Sequence, residues 1–407
     1  MSESVRRVTE WQTERLEAIA EEYGTPAYVI DLDRVRENVD RLEQAFPDAG
    51  IHYAVKANAG RGVLETMEST GIGAEAASAG EYRRALDAGF SSEDLLYTPV
   101  NPPARDLDAV LESEGDPLAI TVGAVDTIRR LAEREYTGAV SIRIHPGTGA
   151  GHSDAVATGA DAKFGIAVDR VKNAVDLASG RGMTVVGVHA HAGSGVLNDD
   201  LDAHKAVVET VAEVATDLNV DLDFVDVGGG FGVPYRFEEE ALDIEALAES
   251  TREALAGVDA KLRIEPGRYL VADAGVLLTR VTTIKPTGDE VLAGVDAGMT
   301  DLLRPALYDA YHPVAQVGPS GTREGAVVTV VGPVCESTDV LAERRQLPAP
   351  HRGDLLAVGV TGAYGIEMAS QYNSRPRPPV LAIRDGETTR IRRREEIADV
   401  TAAEVTE

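Results

Sequence analysis

Tyr53-Ala54-Val55-Lys56-Ala57-Asn58 continues an alternation begun at Ile51-His52, with Ile51, Tyr53 and Val55 on one side and His52, Ala54 and Lys56 on the other. That is the two-residue period of a β-strand. The run ends in Ala57-Asn58-Ala59-Gly60, so a strand is predicted over 51–57 with Lys56 at its carboxyl end among small residues. Taken alone, such a lysine is ordinarily a surface residue with a snorkelling stem. What gives it weight is the pattern that follows.

From Ile51 onward, strand, turn and helix repeat. Strands are expected at 51–57, 71–76, 95–98, 118–122, 139–145, 184–191, 222–229 and 261–265, with helical patterns between them, for example at 79–88, 125–135, 168–179, 199–217 and 239–255. Eight alternating strands imply a parallel sheet, and eight is the number that closes a (β/α)8 TIM-like barrel. An open doubly wound sheet is the alternative. Upstream, 10–23 reads as an amphipathic helix with Trp11, Leu16, Ile19 and Ala20 on one side, followed by a strand at 27–32 and a helix at 33–45. After about residue 275 the texture becomes short β-rich runs at 276–284, 290–295, 326–331, 354–360 and 380–383, separated by Gly and Pro. The expected organisation is a barrel over 33–275 and an all-β C-terminal domain of 276–407 completed by 1–32. The tail from Arg390 is expected to be loosely held.

The chain has 407 residues, 43% of them hydrophobic, which is enough for a barrel and a second core. No apolar run is long enough to span a bilayer, and the first residues open no signal peptide, so a cytoplasmic protein is expected. A single cysteine, Cys335, excludes a disulfide within the chain. With 68 acidic and 39 basic side chains the formal charge is −29, which disfavours nucleic acid and anionic membranes as partners. Lysine occurs only at 56, 163, 172, 205, 261 and 285. Strong acidity with so little lysine resembles the surfaces of halophilic proteins.

Barrel enzymes place their chemistry at the carboxyl ends of the strands. Lys56 ends the first predicted strand, His189-Ala-His191-Ala-Gly193-Ser194 the sixth, Asp226-Val-Gly228-Gly229-Gly230 the seventh and Glu265-Pro266-Gly267-Arg268 the eighth. Three glycines after a strand make either a tight turn or a nest of converging N–H groups suited to phosphate, and loops seven and eight are the common phosphate site of such barrels. Gly267, Arg268 and Ser194 would add donors there. His189 and His191 share a strand face and could form a metal pair. The other histidines, at 52, 145, 152, 204, 312 and 351, lie in no ligand-like cluster, so no metal is expected and stacking of an imidazole on a flat ring is preferred. Glu265 could pair with an arginine or hold a pyridine nitrogen protonated. A lysine able to form an imine, a phosphate nest, a stacking histidine and an acid for a ring nitrogen together meet the requirements of pyridoxal 5'-phosphate.

The set YAVKAN (53–58), HAHAGSG (189–195), GGGFG (228–232) and EPGRYLV (265–271) resembles the alanine-racemase-like barrel class of pyridoxal-phosphate-dependent decarboxylases. In the second half, DAGMTDLLRPALYDAYHP (296–313), GPVCESTD (332–339) and GAYGIEMASQYNSRPRP (362–378) closely resemble the diaminopimelate decarboxylase family. The resemblance covers nearly the whole chain, in order. It implies that Lys56 carries the cofactor covalently, His191 stacks on its ring and Glu265 meets its pyridine nitrogen. Ser194, the glycines 228–230 and the backbone of Gly267 and Arg268 would hold the phosphate, with Tyr364 beside it and facing the substrate. Arg268, Arg304 and Tyr308 would bind the substrate's distal carboxylate and Glu336 its distal ammonium. Cys335, the expected proton donor, and Glu336 would come from the other subunit of a homodimer with shared sites. Glu75 and Ala79 stand where this family more often has Asp and Gly, and His145 where Asn is frequent; neither Glu75 nor His145 is assigned a role.

The implied reaction is decarboxylation of meso-2,6-diaminopimelate to L-lysine and CO2, the last step of lysine synthesis. An ornithine- or arginine-type decarboxylase would share Lys56, His191, Glu265 and Cys335 but has no use for Arg304. A racemase of this barrel typically faces the ring nitrogen with arginine rather than Glu265. A non-enzymatic cofactor carrier would resemble a lone barrel, without the domain that bears Cys335 and Tyr364.

Overall fold

The computed structural model describes residues 5–147, 150–151, 163–318 and 323–405; His152 lies outside them. The chain divides into two compact units, one of Arg36–Val233 with Glu240–Tyr269, the other of the N-terminal residues to Val35, Pro234–Glu239 and Leu270 onward.

The chain enters the second unit first, through β1 (Ala27–Asp31). It then builds the first unit from β2 (Gly50–Ala54), β3 (Gly73–Ala76), β4 (Leu95–Tyr97), β5 (Ala119–Val122), β6 (Ala139–His145), β7 (Thr184–His189), β8 (Phe224–Asp226) and β9 (Lys261–Ile264). Each pairs in parallel with the next, and β9 returns to β2 through Arg263↔Gly50 and Ile264↔Ile51. The eight strands therefore form a closed barrel. Helices such as Ala79–Asp87, Val171–Gly180 and Leu201–Asp217 fill the crossovers. The strands are rich in Ala, Val and Ile and buried on both faces, as a sheet lined by side chains inside and helices outside requires.

The structure trims the predicted ends. β2 stops at Ala54, and Val55–Ala57 form a 3-10 turn, so Lys56 stands on a turn just beyond the strand. β8 ends at Asp226, before the glycines.

The second unit is a nine-stranded mixed sheet. It consists of β1, β10 (Gly275–Thr287), β11 (Glu290–Val295), β12 (Val314–Val317), β13 (Gly325–Val331), β14 (Val340–Pro348), β15 (Leu355–Val358), β16 (Val380–Arg384) and β17 (Glu387–Arg392). β1 is central, antiparallel to β10 with Val29 opposite Val276, and parallel to β16 with Val29 opposite Leu381. The helix Thr13–Tyr23 buries Leu16, Ile19 and Ala20 with Val29, Val276, Leu278 and Leu381. Trp11 precedes this helix rather than lying in it, yet joins the same core. Replacing Leu16 by Ala there would cost about 2–5 kcal/mol.

The tail corrects the expectation that it is loosely held. Arg390 pairs with Leu381 across β17 and β16, Arg394 Nη2 donates to the carbonyls of Tyr23 (3.4 Å) and Pro26 (2.9 Å), and Glu395 accepts from Arg377 Nε at 2.7 Å. Read as a string, 390–396 is only charge; folded, its arginines and Glu395 have fixed partners. Among the described residues no helix is long and apolar enough to cross a membrane.

Candidate active site

In the barrel unit the predicted residues converge. The Lys56 turn is tied to the end of β9, because Ala54 N–H donates to Pro266 O at 3.0 Å. A Cβ on Gly267 would stand 3.1 Å from both Ala54 Cβ and Ala57 Cβ, so the 265–268 segment packs directly on this turn. Lys56 Nζ lies 2.8 Å from Glu75 Oε2 at the tip of β3. Glu75 is buried, and burial raises its pKa to about 7 against the opposing pull of the lysine. Glu75, given no role from sequence, is the ion-pair partner of Lys56.

Glu265 is buried just past β9. His189 Nε2 stands 3.2 Å from its Oε2, while Oε1 is buried and meets no hydrogen-bond partner among the described residues. Burial favours the neutral acid, but the hydrogen bond from His189 and the charge of Lys56 oppose it and hold Glu265 below the usual carboxylate range. Burial keeps His189 itself largely neutral, so its Nε2–H donates to the carboxylate. Asp226 moves the other way, pushed up by burial and by the charge on Glu265. The two buried carboxyls are thus pushed in opposite directions, Glu265 toward the ionised form and Asp226 toward the neutral acid. His189, Asp226 and Glu265 offer ligand atoms within 4.8 Å of one another, a grouping the sequence reading did not foresee. His189 and Glu265 are already joined there, and Lys56 and Arg143 add positive charge beside them. A cation would have to displace that arrangement.

His191, one strand step further on, is pushed down to about pKa 3 by burial, Arg143 and Lys56, so it presents a neutral ring. Its Nδ1 accepts from Gly229 N–H at 3.3 Å. The glycine run brings the loops after β7, β8 and β9 together at distances no side chain would allow. A Cβ on Gly229 would lie 2.0 Å from Glu265 O, and one on Gly230 (φ +95°) 2.3 Å from Gly193 O. Gly230 O in turn accepts from the N–H groups of Gly195 (2.8 Å) and Val196 (2.9 Å), and Arg268 Nη2 lies 3.2 Å from Ser194 Oγ. Ser194, Gly228, Gly229, Gly230 and Arg268 are therefore one cradle of close backbone and donors.

This donor set fits pyridoxal 5'-phosphate. The unshared Oε1 of an ionised, buried Glu265 suits a protonated ring nitrogen, the neutral His191 suits a ring face, and the cradle suits a phosphate.

The second unit holds the remaining predicted residues. Arg304 opens the helix Arg304–Tyr308 and is 9% exposed, with Tyr308 at its end. Tyr364 is half-buried with φ +56°. Cys335 and Glu336 lie exposed on a loop, Cys335 Sγ 3.5 Å from Asn373 Oδ1 and Glu336 hydrogen-bonded to the Tyr372 hydroxyl. Asp339 closes that loop, its Oδ2 accepting from Val334 N–H at 2.7 Å and its Oδ1 from Met299 N–H at 2.6 Å. The loop is thereby joined to the segment that leads into Arg304. His189, Asp226, Arg143 and Asp339 went unassigned in the sequence. A signal existed for His189, two residues before His191 on the same face.

A parallel barrel whose strand ends carry a lysine, a buried carboxylate for a ring nitrogen and a glycine cradle defines a pyridoxal-phosphate-dependent enzyme class. Residues 32–272 match the family described as pyridoxal-dependent decarboxylase, pyridoxal binding domain. Diaminopimelate decarboxylase of Methanothermobacter thermautotrophicus is 40% identical, over 94% of this chain and 92% of its own length. That of Escherichia coli K12 is 35% identical over 98% of both. The crystal structure of diaminopimelate decarboxylase from Helicobacter pylori complexed with L-lysine superposes with a TM-score of 0.89 at 34% identity, covering 95% of this chain and 98% of that one. The chain belongs to the diaminopimelate decarboxylase family of pyridoxal-dependent decarboxylases.

Proposed function

We propose that this chain decarboxylates meso-2,6-diaminopimelate to L-lysine and CO2 with pyridoxal 5'-phosphate as cofactor. The observation that carries the reading is Glu265, buried, ionised and with one oxygen unshared beside His189 and Lys56. When bound, the cofactor supplies an electron-poor pyridinium that takes up the electron pair left as CO2 departs.

The chain's own residues do the rest. Lys56 would hold the cofactor covalently, and Glu75, 2.8 Å from its Nζ, would steady its ammonium form when the lysine is free. Glu265 keeps a proton on the ring nitrogen. His191 would stack on the ring through its neutral imidazole. Gly228, Gly229, Gly230, Ser194, Gly267 and Arg268 would hold the phosphate, and Tyr364 is assigned to the cofactor and substrate on the family resemblance. Arg268, Arg304 and Tyr308 bind the carboxylate that is retained, Glu336 binds the distal ammonium, and Cys335 delivers a proton to the carbon that lost CO2.

The domain reading is that 33–275 binds the cofactor while 1–32 and 276–407 contribute to the site and to a homodimer interface. In this reading Cys335 and Glu336 serve the partner's site, which their exposure on their own unit supports. The protein works in the cytoplasm, and its excess of acid is an adaptation to high salt. Incubating the purified protein and cofactor with meso-diaminopimelate, ornithine, arginine and alanine, and identifying products, tests the function. L-Lysine from the first alone is expected; a diamine from ornithine or racemised alanine as the main product overturns it.

A further inference from the structure

Arg304 is held by its own unit in an unusual way. Both N–H groups of Nη1 are used, one donated to the Tyr235 hydroxyl at 2.9 Å and one toward His312 Nε2 at 3.1 Å. His312 is wholly buried, and its Nδ1 lies 2.9 Å from Gly359 O. A carbonyl only accepts, so the proton sits on Nδ1 and leaves Nε2 as a bare acceptor. A doubly protonated ring would turn an N–H against the guanidinium. The imidazole is thereby fixed as the neutral tautomer that Arg304 requires. The Tyr235 ring stands edge-on to His312, with centroids 5.2 Å apart and planes at 87°, and Arg304 Cζ lies 5.0 Å over the Tyr235 ring. The guanidinium plane is thus set from two sides.

What is left over matters more. Among the described residues no protein acceptor meets Arg304 Nε or Nη2, and neither atom is sealed away from solvent. The Nε–Nη2 edge is one of the two forks by which arginine grips a carboxylate with parallel hydrogen bonds. We infer that His312 and Tyr235 are positioning residues for carboxylate recognition, using Nη1 to orient Arg304 so that its Nε–Nη2 edge receives the substrate's retained carboxylate. The inference rests on the assignment of Arg304 to that carboxylate. An arginine anchored in advance loses less freedom when the ligand arrives.

The test compares Tyr235→Phe, His312→Asn and His312→Gln with wild type and Arg304→Leu, each checked for cofactor absorbance and thermal midpoint. Gln places an acceptor where Nε2 was, whereas Asn keeps only the donor toward Gly359. The retained carboxylate lies away from the reacting carbon, so its loss should weaken substrate and transition state alike and appear in KM rather than kcat. Tyr235→Phe and His312→Asn should raise KM for meso-diaminopimelate about ten-fold, the effect of one charge-assisted hydrogen bond, with kcat close to wild type. His312→Gln should recover most of that loss. Inhibition by L-lysine, which keeps the carboxylate, should weaken in parallel, while inhibition by 1,5-diaminopentane, which has none, should not change. Equal weakening of both inhibitors, or a fall in kcat at constant KM, overturns the inference. If Arg304→Leu itself fails to separate the two inhibitors, the assignment of Arg304 falls and the inference with it. If Arg304→Leu separates them and the other variants do not, only the positioning role falls. Should His312→Asn fail to fold, Tyr235→Phe decides the matter alone.

Discussion

His189 Nε2 stands 3.2 Å from Glu265 Oε2 with both side chains sealed inside the barrel, and among the described residues this bond leaves Oε1 as the carboxylate's unshared acceptor. A neutral donor fixes the acid without neutralising it. Glu265→Gln should keep the shape and remove the charge. On the proposed role kcat should drop by about 10²–10³, the usual loss when one preorganised electrostatic partner is removed. Steady-state kinetics with cofactor binding measured separately will check this, and a kcat within a few-fold of wild type would assign Glu265 elsewhere.

Lys56 provides a chemical test. Borohydride reduction of the loaded protein should fix the cofactor to this residue, and peptide mapping should find the label there. A label on Lys163 or Lys205 would defeat the assignment.

Asp301 gives a pH test independent of activity. It is buried, its Oδ2 accepts from Gly298 N–H at 2.8 Å, and burial raises its pKa from 3.8 to about 7. The folded state therefore binds this proton more tightly than the unfolded state, and stability falls as pH rises through that interval. Asp301→Asn has no such proton to lose. Its thermal midpoint should match wild type near pH 4 and gain on it steadily up to about pH 7. A constant difference across the range would remove Asp301 as the cause.

The shared site predicts complementation. Lys56→Ala and Cys335→Ala homodimers should each be nearly inactive. A mixed dimer has one site with both residues altered and one with both intact. Random exchange makes half the dimers mixed, so activity should return to roughly a quarter of wild type. No recovery, with exchange verified by mass spectrometry, would reject the two-chain site.

The charge of −29 predicts salt dependence. At 0.01 M salt the Debye length is roughly 30 Å and acidic groups across the surface repel. The thermal midpoint should rise with added potassium chloride. Full stability in dilute buffer would end the halophile reading and leave the catalytic one intact.

The barrel was legible because its strands are short apolar runs between helices of clear period, and the residues at the strand tips carry the chemistry. The second unit was harder. β14 contains Glu343, Arg344, Arg345 and Gln346 and breaks register twice against β13, which hides its alternation, and β17 is largely polar. Of the site, single residues with chemical character could be read directly. The His189–Glu265 bond, the division of charge between Glu265 and Asp226, and the anchoring of Arg304 by Tyr235 and His312 could not. Each depends on which atom faces which, and all but the Arg304–His312 contact join residues far apart in the chain.

The central place of β1 has a consequence for how the protein is made. Tyr28, on that strand, donates its hydroxyl to Asp301 O, 273 residues further along. At ordinary ribosomal speeds that separation is roughly 14–55 s of translation. For most of that wait the barrel is emerging and this five-residue strand has neither neighbour beside it, since β10 begins only at Gly275, an open edge of the kind that recruits other nascent chains. Deleting residues up to Asp31 would take one neighbour from each of β10 and β16 and leave an open edge on both in the finished chain, and such a truncation is expected to accumulate as aggregate on ribosome release, even with every barrel residue in place.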